Sequence, residues 1–208
     1  MTPGQRTSYL SMAARRARPG SGSGQLEVRE GAAGLAAPDV RSLLGAVPFA
    51  IAGGLATRLY MPARMTLDVD VLVAAADRPQ AERALAASGC TRRGKLTIGG
   101  STWTAPDGTT LDLLALYAPW AAEAVASAVM APDGNPYVRL PFLVLMKLVA
   151  SRVQDLADIS RMLALADADG LARTRALVAG HRPDDAEDLE SLIRLGRLEA
   201  GQTGKGTT

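Results

Sequence analysis

Apolar and polar positions along this chain come in short blocks that change period. After Pro38 and Asp39 a helix is predicted to Leu44, ended by Gly45 and Pro48. Phe49 to Ala52 is a short apolar run, Gly53-Gly54 interrupts it, and a helical turn or two leads to a Pro-containing loop over Met61 to Met65. A second strand follows to Val73, carrying Asp68 and Asp70 among Val and Leu. Beyond it the pattern predicts a helix from Asp77 to Gly89, with Asp77 as its cap and Pro79 in its first turn. Two strands, Cys90 to Ile98 and Ser101 to Ala105, are joined at Gly99-Gly100, and a β-rich run from Thr109 to Tyr117 contains Asp112. A helix over Ala118 to Ala131, a turn at Pro132 to Asn135 and a short strand over Tyr137 to Leu140 complete this half. From Pro141 the period is helical: Pro141 to Arg152, Asp155 to Ala166, Gly170 to Ala179 and Asp184 to Leu198.

These elements predict an α/β (α+β) fold, a short mixed sheet with flanking helices followed by a C-terminal helical bundle. The boundaries are a flexible basic arm over 1–37, which holds the GSGSG run at Gly20 to Gly24, a core over 38–140, a helical region over 141–199, and a tail over 200–208. The arm's arginines either touch phosphates or belong to a solvated tail. No internal repeat or heptad series is visible.

Composition narrows the chemistry. The chain has 208 residues, 48% hydrophobic, enough to bury a normal core without disulfides or a structural metal. Aromatic residues make up only 4%, so stacking platforms for single-stranded nucleic acid are not expected. A net charge of +2 permits a polyanionic partner without demanding one. Cys90 is the single cysteine and His181 the single histidine, which excludes an intramolecular disulfide, Cys- or His-rich metal sites and His-based triads, and fits a reducing cytoplasm. His181, beside Arg182-Pro183, is expected in a loop, and Cys90 as a small core hydrophobe. No apolar run approaches about 18 residues, so no membrane span is expected, and the first residues lack the apolar region of a secretory signal.

Acid–base chemistry therefore falls to carboxylates, Lys or Tyr. Side chains alternate faces along a strand, so Asp68 and Asp70 point the same way, opposite Val69 and Val71. Two like charges on one face require a cation between them, either a divalent metal or basic side chains. Asp112 supplies a third strand carboxylate, as a further ligand or as a partner of Arg64 or Arg58. Thr66 shapes the strand entrance, and Arg92, Arg93 and Lys95 form a basic patch that either discourages edge pairing or holds RNA. Glycines at a strand–helix turn, here Gly53 and Gly54, let backbone N–H groups approach a phosphate. In the helical half, a continuous helix with its 100° step would set Lys147, Ser151, Asp155 and Asp158 on one face. Lys147 could equally pair with Asp158 across a helix pair, and Asp155 could cap a new helix if Ser151 to Gln154 break the first.

The ordered set Gly53-Gly54, Asp68-x-Asp70 and Asp112 resembles the signature of the DNA polymerase β-like nucleotidyltransferase superfamily. The segment LPFLVLMKLVASRVQDLADISRML, Leu140 to Leu163, is similar to the downstream segment of minimal nucleotidyltransferases that include the AbiE-type toxins. The match spans roughly residues 46 to 165. The resemblance implies metal-dependent transfer of a nucleoside monophosphate from an NTP to a hydroxyl, with Asp68, Asp70 and Asp112 holding Mg²⁺ (or Mn²⁺). It further implies nucleotide contacts from Gly53, Gly54, Arg64, Lys147 and Arg152, and a catalytic or positioning role for Asp155 or Asp158. The implied acceptor is an RNA end such as tRNA, or a protein, with a cognate antitoxin as possible partner. The alternatives are transfer to an antibiotic-like small alcohol, and a non-catalytic binding module of the same fold.

Overall fold

The computed structural model describes residues 39–62, 66 and 68–201. The predicted N-terminal arm, Arg64 and the tail from residue 202 lie outside the described residues. The described residues fall into two compact units, 39–139 and 140–201.

The first unit is built on a seven-stranded mixed sheet. Its strands are β1 (Ala50–Ile51), β2 (Asp68–Ala74), β3 (Thr91–Lys95), β4 (Gly100–Thr104), β5 (Thr110–Leu116), β6 (Val129–Met130) and β7 (Pro136–Tyr137), in the order β3-β4-β5-β2-β1-β7-β6. β2 lies parallel to β5 and antiparallel to β1. One face of the central pair is entirely apolar: Val69, Val71, Val73, Leu111, Leu113 and Ala115 are all buried. The other face changes character along its length, with Asp68, Asp70 and Asp112 only partly buried at one end and Leu72 and Leu114 buried at the other. That switch leaves one end of an otherwise packed sheet available for polar chemistry.

Four helices attend the sheet: α1 (Val40–Leu44), α2 (Gly53–Thr57), α3 (Arg78–Ala87) and α4 (Ala121–Ala126). Asp39 caps α1, its Oδ1 accepting from the Ser42 amide at 3.1 Å. α3 packs on the apolar side, where its Glu82 accepts from the Ser101 hydroxyl at 2.9 Å and Ser101 in turn accepts from the Trp103 indole at 2.9 Å. Asp77 stands at the predicted cap position of α3 but makes no capping bond, because it is already in a 3-10 turn, Ala75–Asp77, with helical backbone angles. The helix predicted over Ala118 to Ala131 is shorter: it ends at Ala126, and the β-branched Val129 pairs instead with Tyr137.

The second unit is helical: α5 (Leu140–Ala150), α6 (Val153–Leu165), α7 (Ala168–His181) and α8 (Ala186–Glu199). α5 packs on α6 and α7, and α6 on α8, around Leu143, Leu145, Leu148, Leu156, Ile159 and Leu163, all fully buried. His181, expected in a loop, is instead the last residue of α7, since the helix runs on past Gly180 until Arg182-Pro183 stops it. The helix across Ser151 is not continuous. Ser151 adopts a left-handed backbone with φ of 55°, and Arg152 takes the N-cap position of α6. No helix among the described residues is long and apolar enough to cross a membrane.

α6 and α8 approach so closely at Gly196 that a Cβ there would stand 2.0 Å from the Ser160 carbonyl oxygen and 3.1 Å from the Ala164 Cβ. The obstruction is backbone and cannot rotate away. Gly196→Ala is expected to lower stability by about 1–3 kcal/mol despite the better helix propensity of alanine, read as a fall in the urea midpoint of unfolding.

Candidate metal and nucleotide site

Parallel pairing of β2 and β5 sets Asp70 directly beside Asp112 and Asp68 beside Thr110. Registered neighbours share a face, so all three aspartates project from one side of the sheet, and their nearest carboxylate oxygens lie within 4.8 Å of one another. Each carboxylate is steered by a neighbour. Thr66 donates to Asp68 Oδ1 at 3.0 Å, and Thr102, opposite Asp112 in the β4–β5 register, donates to Asp112 Oδ1 at 2.6 Å. Gly53 lies against the third: with φ of 55°, its position leaves no room for a side chain, since a Cβ would stand 1.7 Å from Asp70 Oδ2. The Ala52 amide donates to the Asp70 carbonyl at 2.8 Å, which ties the glycine turn to the acidic strand. Glycine is required here on both counts, backbone conformation and space.

Partial burial pushes the Asp112 carboxyl above its ordinary value; the Thr102 hydrogen bond offsets part of this and the Asp68 charge adds to it. The donor set suits a hard divalent cation. Three carboxylates supply only oxygen ligands, one from each within 4.8 Å of the others. Asp68, Asp70 and Asp112 are the residues that would hold such an ion.

Of the remaining predicted residues, Lys147, Arg152, Asp155 and Asp158 assemble in the helical unit. The break at Ser151 folds α6 back against α5, so Lys147, Asp155 and Asp158 meet across the two helices and not along one helical face. Lys147 Nζ donates to Asp155 Oδ1 at 2.9 Å and to Asp158 Oδ2 at 2.7 Å. Arg152 Nε donates to Asp155 Oδ2 at 2.7 Å, and Gln154 to Asp158 Oδ1 at 2.9 Å. Lys147 is 4% exposed, Asp155 1% and Asp158 0%. Asp155 is the third residue of α6, not its cap, and its carboxylate reaches back to the Arg152 amide. Burial raises the Asp155 pKa, but the Arg152 hydrogen bond and the Lys147 and Arg152 charges outweigh it, and the net shift is downward. Buried Lys147 and exposed Arg152 thus neutralise two interior carboxylates.

Thr102 was not singled out by the sequence reading, although strict alternation in Ser101-Thr102-Trp103-Thr104 places it on the face opposite buried Ser101 and Trp103. A groove of about 720 Å³ elsewhere in the first unit, lined by Leu55, Leu59, Asp133 and Tyr137 among others, includes none of the three aspartates.

No family model matches the chain, and no curated protein does. Among solved structures, it is similar to the solution structure of the antibiotic-resistance factor ANT(2'')-Ia, at 18% identity over 97% of both chains with a TM-score of 0.41. It is also similar to a crystal structure of ANT(2'')-Ia in complex with adenylyl-2''-tobramycin, at 20% identity over 74% of this chain and 89% of that one, again with a TM-score of 0.41.

Two stability effects of opposite sign follow from the titrations. A carboxyl whose pKa is raised by folding destabilises the folded state at neutral pH, and the cost disappears as pH falls through the raised value towards the ordinary 3.8. In EDTA, Asp112→Asn should therefore melt a few degrees above the parent at pH 7, with the gap closing on acidification; an unchanged gap would refute the assignment. The lowered Asp155 contributes stability that is present above 3.8 and lost as pH falls through its folded value. Lys147→Met removes the cation shared by two buried carboxylates and should cost about 3–5 kcal/mol, measured by urea unfolding.

Proposed function

We propose that this chain is a metal-dependent nucleotidyltransferase, moving a nucleoside monophosphate from an NTP to a hydroxyl. The observation that carries this reading is the convergence of Asp68, Asp70 and Asp112 within 4.8 Å on one sheet face, with Gly53 pressed against Asp70. A divalent ion held there would neutralise phosphate charge and acidify a bound hydroxyl.

The chain's own residues then divide the work. Asp68, Asp70 and Asp112 would hold the cation, Asp68 steadied by Thr66 and Asp70 by the glycine turn. Asp112, with Thr102 occupying its Oδ1, has its second oxygen to take the proton from the acceptor hydroxyl as that oxygen bonds to the α-phosphorus. The bond from the α-phosphorus to the bridging oxygen breaks, and pyrophosphate leaves. Gly53 and Gly54, with Arg64, are assigned to the triphosphate. For Lys147 and Arg152 a nucleotide contact would have to compete with the carboxylates they already serve; their ion pairing favours a positioning role for the cluster, with Asp155 and Asp158 as its anchors. The AbiE-type toxin assignment, with a tRNA or protein acceptor and a cognate antitoxin, belongs to the same reading.

Incubation with α-labelled NTPs, Mg²⁺ and, in separate arms, total RNA, protein extract or an aminoglycoside alcohol should transfer label in at least one arm. Asp68→Asn and Asp70→Asn should each abolish it, by roughly 10³-fold or more. Independently, Mg²⁺ with a non-hydrolysable NTP should raise the melting temperature, by the equivalent of about 2.7 kcal/mol at a hundredfold excess over Kd. No stabilisation in the parent protein, together with no transfer in any arm, would leave the fold as a non-catalytic binding module.

A further inference from the structure

The acidic triad does not end the polar face on which it sits. Two rows of registered residues run from it to the free edge of the sheet: Asp68, Thr110, Thr104 and Thr91 in one, Asp70, Asp112, Thr102 and Gly94 in the other. Every side chain in these rows is carboxylate or threonine until the edge strand. Thr110, Thr91 and Gly94 are exposed, and Thr102 and Thr104 are half-buried. A Cβ built on Gly94 would meet nothing within 4 Å, so the face is open there.

A β-bulge between Arg92 and Gly94 decides which cation shares this face. Arg92 pairs with Trp103 and reaches Glu82 at 3.8 Å, and Lys95 pairs with buried Ser101, so both belong to the opposite side. The extra residue puts Arg93 and Gly94 consecutively on the triad side, re-aiming the strand as bulges do. Arg93 is exposed, and its Nε donates to Thr104 Oγ1 at 2.8 Å. That bond fixes the guanidinium over the threonine rows and leaves its two terminal NH2 groups to grip a ligand in bidentate fashion. From β5 to β3 is two strand spacings, roughly 10 Å.

We propose that this threonine face is the acceptor surface and that Arg93 selects the acceptor by binding a phosphate group two strands from the reacting hydroxyl. The assignment rests on the nucleotidyl-transfer reading above. The chemistry of the surface points to a sugar–phosphate. Among the described residues of this face hydroxyls line the floor, one cation stands at the far end, and Trp103 faces away, so these residues can bind ribose hydroxyls and phosphate but offer no ring on which a base could stack. A polyamine acceptor would bring like charge against Arg93.

The phosphate could belong to a nucleic-acid end or to a phosphorylated small alcohol, and two probes separate them: a fluorescent single-stranded oligoribonucleotide and a monophosphorylated pentose. Arg93→Gln should weaken oligoribonucleotide binding roughly fivefold in anisotropy titrations. It should also reduce the slope of log K against log salt by about 0.7, the value of one phosphate contact on a single strand. Gly94→Arg, which adds a cation where the face is open, should steepen the slope by a similar amount, and Arg93→Lys should restore part of the affinity. Both positions are exposed, so melting temperatures should stay within a degree or two of the parent. In the transfer assay Arg93→Gln should raise KM for the phosphorylated acceptor and leave kcat nearly unchanged. Binding or KM effects confined to the pentose phosphate assign a small-molecule acceptor; effects on the oligoribonucleotide assign a nucleic-acid end. Transfer that persists with unchanged KM and salt slope in Arg93→Gln overturns the acceptor surface while leaving nucleotidyl transfer intact. A parent protein that binds neither phosphate probe also overturns it. No Mg²⁺–NTP stabilisation of the parent together with no transfer in any arm overturns both readings.

Discussion

Mutual repulsion among three carboxylates on one sheet face is the constraint around which the sheet unit is arranged. At 4.8 Å two unit charges repel by about 3 kcal/mol at an effective dielectric near 20, and by less where water reaches them. A chain selected only for stability would separate them. Instead the parallel β2–β5 register locks Asp70 beside Asp112, and apolar burial on the reverse face prevents either strand from slipping. A slip of one residue would turn Val69, Val71, Leu111 and Leu113 towards the polar side, at the loss of the buried core. The hydrophobic core therefore enforces an electrostatically unfavourable cluster, and a bound cation would relieve it.

The helical unit solves the opposite problem. There Lys147 meets two carboxylates in the interior, and Arg152 and Gln154 engage the oxygens that Lys147 leaves. The distinction between a site and a scaffold lies in this saturation. Asp155 gains more from its cations than it loses to burial, so its pKa falls, whereas burial dominates at Asp112 and its pKa rises. Similar residue types reach opposite titration behaviour because one group is fully partnered and the other has a hydroxyl for its partner and carboxylates for neighbours.

How much of this could be read from the sequence follows from the range of each interaction. Asp68 and Asp70 share a face by local alternation, and their separation from Val69 and Val71 needed no structure. That Asp112 joins them depends on strand order and register, which is non-local; the sequence supplied an acidic strand residue but not the parallel pairing that brings it alongside. Thr102 escaped notice because its role exists only through the β4–β5 pairing. At Lys147 the sequence left two geometries open, one continuous helix or two. The left-handed Ser151 chooses the second, and no residue preference for that conformation announces it, since serine seldom adopts it. The helix expected through Ala131 failed for a similar reason: the Ala-rich run has helical propensity to spare, and pairing of Val129 with Tyr137 overrides it.

The edge strand completes the logic of the face. Arg92, Arg93 and Lys95 look equivalent in sequence, a run of charges that protects an open edge from pairing. Alternation already sets Arg92 on the Glu82 side, and the bulge, which shifts the alternation by one position beyond Arg93, sends Lys95 there too while Arg93 stays with the aspartates. Edge protection alone would be served by any arrangement of the three charges. An arginine bound to Thr104 beside an open Gly94, on the same face as the acidic triad, does something further: it sets a positive pole across a hydroxyl-lined floor from the carboxylates, which under the proposed reading is the direction along which an anionic acceptor would lie.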